Sequence, residues 1–205
     1  MNTEKVPDII VSRLPVYLRA LQRMADNGAG TTSSQELGEK VGISAAQIRK
    51  DLSQFGEFGK QGTGYSIPFL IERLCQILNV DHGWDVVVVG MGELGRAIVR
   101  YQGFANRGFH VLMCFDNEPA KIGQKIGELT VRDIKDIVKD TKAAGIKVAM
   151  LCVPAAAAQE VTNQLLEAGV LGILNYAPVS LVVPAKVKVQ YIDPAIGLQR
   201  ITYYL

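Results

Sequence analysis

The stretch Asp85-Val-Val-Val-Val-Gly-Met-Gly-Glu-Leu-Gly95 decides the fold of the larger part of the chain. Its valines form an unbroken apolar run, which is typical of a strand buried on both faces of a parallel sheet. Three glycines follow at the spacing Gly-x-Gly-x-x-Gly, and helical periodicity then runs through Ile98 and Val99. A strand, a glycine-rich turn and a helix in this order predict a doubly wound α/β domain of the Rossmann type.

Each glycine of this turn has its own physical reason. Gly90 permits the tight turn, Gly92 removes a Cβ that would block a pyrophosphate, and Gly95 lets the helix pack closely on the strand. A second predicted strand, His110–Phe115, ends at Asp116, which is 21 residues after Gly95. A carboxylate there binds both ribose hydroxyls and repels a 2′-phosphate, which predicts NADH and NAD⁺ as ligands rather than their 2′-phosphorylated forms.

Two later predicted strands, Val148–Val153 and Gly172–Asn175, end at the same crevice. Ligands bind at the carboxyl ends of the strands in open α/β sheets. Val153 and Pro154 are therefore expected to pack on a base or on the nicotinamide, and Asn175 is expected to bind ribose. Ordinary turn chemistry remains the alternative for these three residues. The predicted cofactor site comprises Gly90, Gly92, Glu93, Leu94, Gly95, Asp116, Val153, Pro154 and Asn175.

The first part of the chain has helical apolar spacing instead. Ser33–Glu36 has the pattern of a capping box that opens a short helix, and Gly42–Ser44 predicts a tight turn before a third helix that runs to about Phe55. Helix, short turn and helix is the outline of a helix-turn-helix. Gly56–Tyr65 contains four glycines and two aromatic residues, which favours a β-ribbon wing.

The change of pattern gives the domain organisation. The helix predicted over Ile67–Leu78 belongs to a winged-helix domain, residues 1–80, and the segment Asn79–Gly83 is the predicted junction to an α/β domain, residues 84–205. The remaining predicted elements are a helix over Asp133–Lys142, a helix over Ala155–Ala168 and a last strand over Val187–Ile192.

The third predicted helix carries hydrogen-bond donors on its exposed face. Its apolar stripe, Ile48, Leu52 and Phe55, is expected to face the core, with Asp51 beside it as a structural partner. Arg and Lys can read guanine, Gln can read adenine, and all of them can contact phosphates. A solvated helix face is the alternative. The residues predicted to contact DNA are Gln47, Arg49, Lys50 and Ser53 on the helix, and Lys60, Gln61 and Tyr65 on the wing.

Composition narrows the class of protein. The net charge is only +2, and residues 1–80 hold nine Lys/Arg against eight Asp/Glu, so DNA contact must come from local placement of charge. Three cysteines without Cys-x-x-Cys spacing argue against a disulfide framework or a metal site. The chain opens without the apolar segment of a signal peptide and has no run of about 18 apolar residues. We therefore expect a cytoplasmic protein without a membrane span.

Seven segments, in order along nearly the whole chain, carry a family resemblance. They are Ser12-Arg-Leu-Pro-Val-Tyr-Leu-Arg19, Thr32-Ser-Ser34, Gln47-Ile-Arg-Lys-Asp-Leu-Ser53, Phe55-Gly-Glu-Phe-Gly59, Gly62-Thr-Gly-Tyr65, Val89-Gly-Met-Gly-Glu-Leu-Gly95 and Gly172-Ile-Leu-Asn-Tyr-Ala-Pro178. Together they resemble the Rex family of redox-sensing transcriptional repressors. The resemblance implies a homodimer that binds an inverted-repeat operator in double-stranded DNA and releases it when NADH rises.

The resemblance also implies roles for single residues. It assigns Arg49 and Lys50 to DNA, and it makes Arg19, Tyr101 and Asp193 the link between cofactor state, winged helix and dimer partner. Two departures stand out. Gln61 occupies a wing position where the family usually has Arg, and the chain is expected to have a shortened or altered form of the C-terminal helix that members exchange with the partner.

Two other functions compete with this one. An NAD-dependent dehydrogenase needs a general acid or base, yet the only histidines, His82 and His110, lie in the junction and at the start of a predicted strand. A dinucleotide-binding subunit that does not bind DNA is the second alternative, against which the donor-rich helix face argues. We therefore expect no catalytic residues. Apolar surroundings favour an inert buried thiol at Cys152, near the predicted cofactor, and a thiol sensor is the alternative there.

Overall fold

The computed structural model describes residues 6–56, 58 and 64–205. The chain divides into two compact units, and the boundary between His82 and Gly83 falls inside the predicted junction. Each unit has its own apolar core. Within the described ranges, no helix has both the length and the apolar character needed to cross a membrane.

The first unit is a small helical domain with a two-stranded ribbon. Its helices are α1 (Asp8–Val11), α2 (Leu14–Asp26), α3 (Ser34–Val41), α4 (Ala45–Ser53) and α5 (Ile67–Leu78), and its strands are β1 (Thr31–Thr32) and β2 (Tyr65–Ser66). The strands pair antiparallel, with Thr32 opposite Tyr65. Leu14, Leu21 and Leu37 are among the fully buried side chains around which the helices pack.

Local capping explains where α3 and α4 begin. The Ser33 hydroxyl accepts the Glu36 N–H at 3.1 Å, and the Glu36 carboxylate accepts the Ser33 N–H at 2.9 Å, which is the predicted capping box. Ser44 caps α4 by accepting the Gln47 N–H at 3.2 Å. Between the two helices Gly42 adopts the left-handed conformation, φ 70°, that suits glycine at a helix end.

The second unit is a seven-stranded sheet with helices between the strands. Its strands are β3 (Trp84–Val89), β4 (Phe109–Asp116), β5 (Lys125–Ile126), β6 (Leu129–Asp133), β7 (Val148–Leu151), β8 (Gly172–Asn175) and β9 (Lys188–Tyr191). Its helices are α6 (Glu93–Arg100), α7 (Ile137–Ala143), α8 (Ala155–Glu167) and α9 (Pro194–Thr202), with 3₁₀ turns at Gln102–Arg107 and Ile134–Asp136.

The strand order is that of a Rossmann fold. The sheet runs β5-β6-β4-β3-β7-β8-β9, and all neighbouring pairs except β5 with β6 are parallel. The strand order reverses at β3, so a crevice opens at the carboxyl ends of β3, β4 and β7. Val86–Val89 are fully buried, as an apolar central strand requires.

Three elements differ from the sequence prediction. The helix expected over Asp133–Lys142 is instead the end of β6, a 3₁₀ turn and α7, because the apolar spacing of Ile134, Ile137 and Val138 continues the helical pattern of α7 back into the 3₁₀ turn that follows β6. The third helix ends at Ser53, although Phe55 still packs against the core as expected. The described ribbon pairs β2 with β1, a strand that no local pattern indicates, and most of the predicted wing, Gly56–Tyr65, lies outside the described residues.

Candidate nucleotide cavity and DNA-binding face

A cavity of about 620 Å³ lies at the carboxyl ends of the central strands of the second unit. Six residues of the predicted cofactor site are in its wall: Gly90, Gly92, Leu94, Asp116, Val153 and Pro154. The other three do not line the cavity. Glu93 is exposed at the start of α6, Gly95 is buried in that helix, and Asn175 is buried at the end of β8. The crevice predicted from strand order is therefore a real concavity of suitable size for an extended ligand.

The three glycines are required for different reasons. Gly90 has φ 95°, and a Cβ there would lie 2.7 Å from the carbonyl carbon of Cys152. A Cβ on Gly95 would collide with the carbonyl oxygen of Gly90. A Cβ on Gly92, by contrast, would meet no atom within 4 Å. The fold itself needs Gly90 and Gly95, whereas Gly92 leaves open space in the cavity wall at the N-terminus of α6.

Asp116 is a buried carboxylate in the same wall. It is 5% exposed, and it accepts the Met91 N–H at 2.7 Å and the Glu118 N–H at 2.8 Å. Burial by itself would raise the pKa of Asp116, but these two N–H groups and the ammonium group of Lys121 together lower the pKa below its ordinary value. Asp116 is thus ionised at neutral pH. Its Oδ2 accepts both the Met91 N–H and the Lys121 ammonium, so the remaining acceptor capacity is on Oδ1, which accepts only the Glu118 N–H.

Asn175 does a different job from the predicted one. Its amide nitrogen donates to the carbonyl oxygens of Ala177 at 3.1 Å and Val179 at 3.0 Å, and its amide oxygen accepts the Ala177 N–H at 2.9 Å. Both amide hydrogens are therefore used in holding the turn after β8. This corrects the expectation that Asn175 binds ribose: in the described structure it stabilises the loop from which Tyr176 enters the cavity wall.

Several wall residues were not predicted from the sequence. They are Asn117, Glu118, Lys121, Glu160, Gln164 and Tyr176. The thiol of Cys152 is also in the wall, and burial raises its pKa to about 12, so it is protonated and unreactive at neutral pH. Across the described residues, no group of three or more His, Cys, Asp and Glu side chains is placed to bind a metal ion.

Helix α4 of the first unit presents the predicted donor-rich face. Arg49, Lys50 and Ser53 are exposed. The Arg49 guanidinium donates to the Ser34 hydroxyl at 2.9 Å, and the Ser53 hydroxyl donates to the Lys50 carbonyl oxygen at 2.9 Å. The Lys50 ammonium is left on an open face.

The other predicted DNA contacts have different surroundings. The Gln47 amide donates to Asp51 at 2.7 Å, which uses one of its two hydrogens inside the domain. Tyr65 is half-buried in β2 and packs against the apolar core. Lys60 and Gln61 lie outside the described residues.

Asp51 is the structural partner that its position predicted. It is fully buried, and its carboxylate accepts two bonds from the Arg13 guanidinium and one from the Tyr17 hydroxyl, all at 2.6 Å. Burial alone would raise the pKa of Asp51, but the bonds from Arg13, Tyr17 and Gln47 lower it. This cluster ties the donor-rich helix α4 to α2.

The residues expected to act as a switch belong to different elements: Arg19 to the first unit, Tyr101 and Asp193 to the second. Arg19 is exposed on α2. Tyr101 ends α6, is 51% exposed and meets the Phe104 ring edge-on at 5.1 Å between centroids. Asp193 caps α9 by accepting the Ala195 N–H at 2.9 Å.

Comparison with known proteins gives the family. Residues 81–179 match the family described as "CoA binding domain", and residues 5–53 match "Putative DNA-binding protein N-terminus". The chain is 50% identical over 199 residues to the "Redox-sensing transcriptional repressor Rex" of Chloroflexus aurantiacus, covering 97% of this chain and 94% of the relative. It is 42% identical to the protein of the same name from Carboxydothermus hydrogenoformans, covering 99% and 98%. The chain belongs to the Rex family of redox-sensing transcriptional repressors.

Solved structures of Rex proteins agree with this assignment. The chain matches "RSP in complex with beta-NAD+ and operator DNA" with a TM-score of 0.92 and 35% identity, covering 97% of this chain and 92% of that one. It matches "RSP in complex with beta-NADH" with a TM-score of 0.89 and 33% identity, covering 98% and 94%. Rex membership confirms the predicted α/β fold with its DNA-binding N-terminal part, and it decides against both the dehydrogenase and the subunit without DNA binding.

Proposed function

We propose that this Rex-family repressor binds an inverted-repeat operator as a homodimer and releases it when NADH occupies the cavity of each α/β unit. The observation that carries the proposal is the cavity wall itself. Gly92 leaves open space at a helix N-terminus, and 5%-exposed Asp116 presents acceptor oxygens nearby. The bacterial cytoplasm, where genomic DNA and the NADH pool are both accessible, is the proposed location.

The cavity residues fit a dinucleotide part by part. The pyrophosphate is assigned to the Gly90–Gly95 turn, where the α6 N-terminus offers free N–H groups and a positive dipole end. The adenosine ribose is assigned to Asp116, whose Oδ1 has acceptor capacity left for the ribose hydroxyls. Val153, Pro154 and Leu94 supply apolar contacts. Bound NADH or NAD⁺ supplies the redox information, and the chain supplies binding and orientation.

DNA binding is assigned to α4. Lys50, Arg49 and Ser53 are the proposed contacts, with Gln47 able to use the rest of its amide group. The wing residues Lys60, Gln61 and Tyr65 are proposed to reach the phosphate backbone. A base-reading residue costs about 1–3 kcal/mol when it is lost and relaxes specificity at one position, whereas a phosphate contact weakens binding to all sequences and flattens the salt dependence.

We assign residues 1–80 to DNA binding and residues 84–205 to cofactor binding and dimerisation. A two-fold operator requires recognition helices about 34–36 Å apart. A dimer switches when NADH and NAD⁺ differ in affinity for two arrangements of its DNA-binding units, because a ligand that binds both equally shifts nothing. Tyr101, Arg19 and Asp193 are proposed to report the cofactor state to those units.

One experiment tests the function as a whole. Inverted-repeat duplexes are first selected from a random-sequence pool with the full-length protein. Operator affinity is then measured without cofactor, with NADH and with NAD⁺. NADH is expected to weaken binding far more than NAD⁺ does. Equal operator affinity in all three conditions refutes NADH-controlled repression.

The switch has its own test. Arg19→Ala and Asp193→Ala are expected to bind NADH as the wild type does while losing most of its effect on operator affinity. Arg23→Ala, which removes another exposed arginine of α2, is the matched control. If NADH releases both switch variants from DNA as it releases the wild type, the switch assignment is wrong and the sensor function stands.

A further inference from the structure

A lysine and two carboxylates lie close together in the cavity wall, at the end of β4 and in the turn that follows it. The Lys121 ammonium lies 2.7 Å from Glu118 Oε2 and 3.4 Å from Asp116 Oδ2. All three residues line the cavity. The Lys121 N–H donates to the Glu118 carbonyl oxygen at 2.9 Å, so a backbone turn fixes the spacing of the pair. The Lys121 side chain is 26% exposed and that of Glu118 is 52% exposed.

The pairing of Lys121 with Glu118 is not needed to hold Asp116 in place for ribose. Asp116 is already ionised and held by two backbone N–H groups, whereas Glu118 binds the ammonium group from the solvent side. The bond to Glu118 is the main reason that the pKa of Lys121 is raised, so the lysine remains charged. An ammonium group is a good ligand for a phosphate, and a lysine beside a ribose site would attract a 2′-phosphate unless it were already paired.

We propose that Glu118 is a second selectivity residue of the cofactor site: it pairs with Lys121, withholds that ammonium group from a ribose 2′-phosphate and thereby helps to exclude NADPH. The inference rests on the proposed NADH-binding function. The local balance is two carboxylates against one ammonium, so a 2′-phosphate meets a net negative site. Removing the Glu118 charge leaves one carboxylate against one ammonium, and it releases that ammonium from the shorter of its two ion pairs, so that it can bind a phosphate.

The test uses NADH and NADPH on the full chain, with affinities measured by calorimetry. Glu118→Gln keeps the shape of the side chain and removes its charge. It is expected to raise the ratio of NADPH affinity to NADH affinity about two- to fivefold, the range expected for a partly exposed charge pair. In Glu118→Gln/Lys121→Met this gain should disappear, because the freed ammonium group is gone.

Glu160→Gln is the matched control. Glu160 also lines the cavity, but it belongs to α8 and not to the turn that holds Lys121. This control is expected to change the affinities for NADH and NADPH in the same proportion. A rise in the NADPH-to-NADH ratio as large as that of Glu118→Gln means that overall cavity charge sets selectivity, which overturns the proposal.

The remaining outcomes separate this inference from the proposed function. If wild type and variants bind NADH but Glu118→Gln has the wild-type ratio, the selectivity role of Glu118 is wrong and the NADH sensor stands. A gain that persists in the double variant shows that Lys121 is not the phosphate ligand, which also overturns the proposal. A wild type that does not bind NADH refutes the proposed function, and the inference fails with it.

Discussion

Asp51 and Asp116 are two buried carboxylates with opposite surroundings. Asp51 is 0% exposed and Asp116 is 5% exposed, and both have pKa values below the ordinary range. The partners of Asp51 include three side chains of its own unit, among them the bidentate Arg13. Asp116 is held by two backbone N–H groups and a lysine, and it faces a cavity of about 620 Å³.

The difference teaches how a structural carboxylate can be told from a ligand-binding one. Burial and a lowered pKa are common to both and do not discriminate. What discriminates is where the remaining acceptor capacity points. Around Asp51 side chains supply a bidentate ion pair and two further hydrogen bonds, so its carboxylate is consumed in joining α2 to α4. Asp116 is held from the backbone side and remains open to a ligand.

Asp51→Ala is expected to have the largest effect, a loss of stability. This change leaves the Arg13 guanidinium without its buried partner, and loss of one member of a buried ion pair costs about 3 kcal/mol. Urea unfolding of the full chain should show that loss in the first unit, with NADH affinity unchanged. Asp26→Ala, at an exposed position near the end of α2, is the control. A wild-type unfolding midpoint for Asp51→Ala would show that the cluster is not structural.

Asp116→Ala should have the opposite pattern, with a large loss of NADH affinity and a smaller loss of stability. The change removes charge-assisted hydrogen bonds to ribose, so NADH affinity is expected to fall about tenfold or more. Cavity water can solvate the freed N–H groups, so stability should fall less than in Asp51→Ala. Calorimetry measures the binding, with exposed Asp136→Ala as the control. Unchanged NADH affinity would refute the ribose assignment.

Gly92 and Gly95 allow the same comparison between a ligand-binding and a structural residue, without a change of charge. A Cβ on Gly92 meets no atom within 4 Å, so the free energy of unfolding of Gly92→Ala should lie within about 0.5 kcal/mol of the wild-type value. The same variant should bind NADH severalfold more weakly, because the added methyl group occupies the space assigned to the pyrophosphate. Gly95→Ala should be clearly less stable, because its Cβ collides with the Gly90 carbonyl oxygen. Thermal unfolding and calorimetry on both variants decide; normal NADH affinity in Gly92→Ala argues against a pyrophosphate at this turn.

The smallest expected effect is on how the free energy of unfolding depends on pH in acid. A carboxyl whose folded pKa is lowered stabilises the fold above its unfolded pKa, about 3.9, and this contribution is lost as pH falls through the folded pKa. Wild type should therefore lose stability below about pH 4. In Asp51→Asn the free energy of unfolding should depend less steeply on pH there. Urea titrations at several acidic pH values measure this slope, and an unchanged slope would contradict the low pKa of Asp51.

Local sequence was enough to predict much of the framework. The capping box at Ser33, the cap at Ser44 and the helix Ile67–Leu78 depend on contacts within a few residues, so they are visible as patterns. Pairings between distant segments are not visible in this way. The two-residue strand β1 exists because Thr32 lies opposite Tyr65. Strand β6 has one buried residue, Val131, so its pattern does not stand out from the helical spacing that follows it.

The sequence by itself determined the Rossmann turn, the acidic residue at the end of the second strand of the parallel sheet, and the donor-rich helix. Each of these is a short-range pattern whose chemistry depends on residue type and spacing. Only the tertiary structure decided that Asn175 holds a loop, that Gln47 is partly engaged by Asp51, and that Glu118 pairs with Lys121 in the cavity wall. The physical reason is that a side chain has a limited number of donors and acceptors. Which of them are left for a ligand depends on neighbours that folding, and not spacing, brings within hydrogen-bond distance.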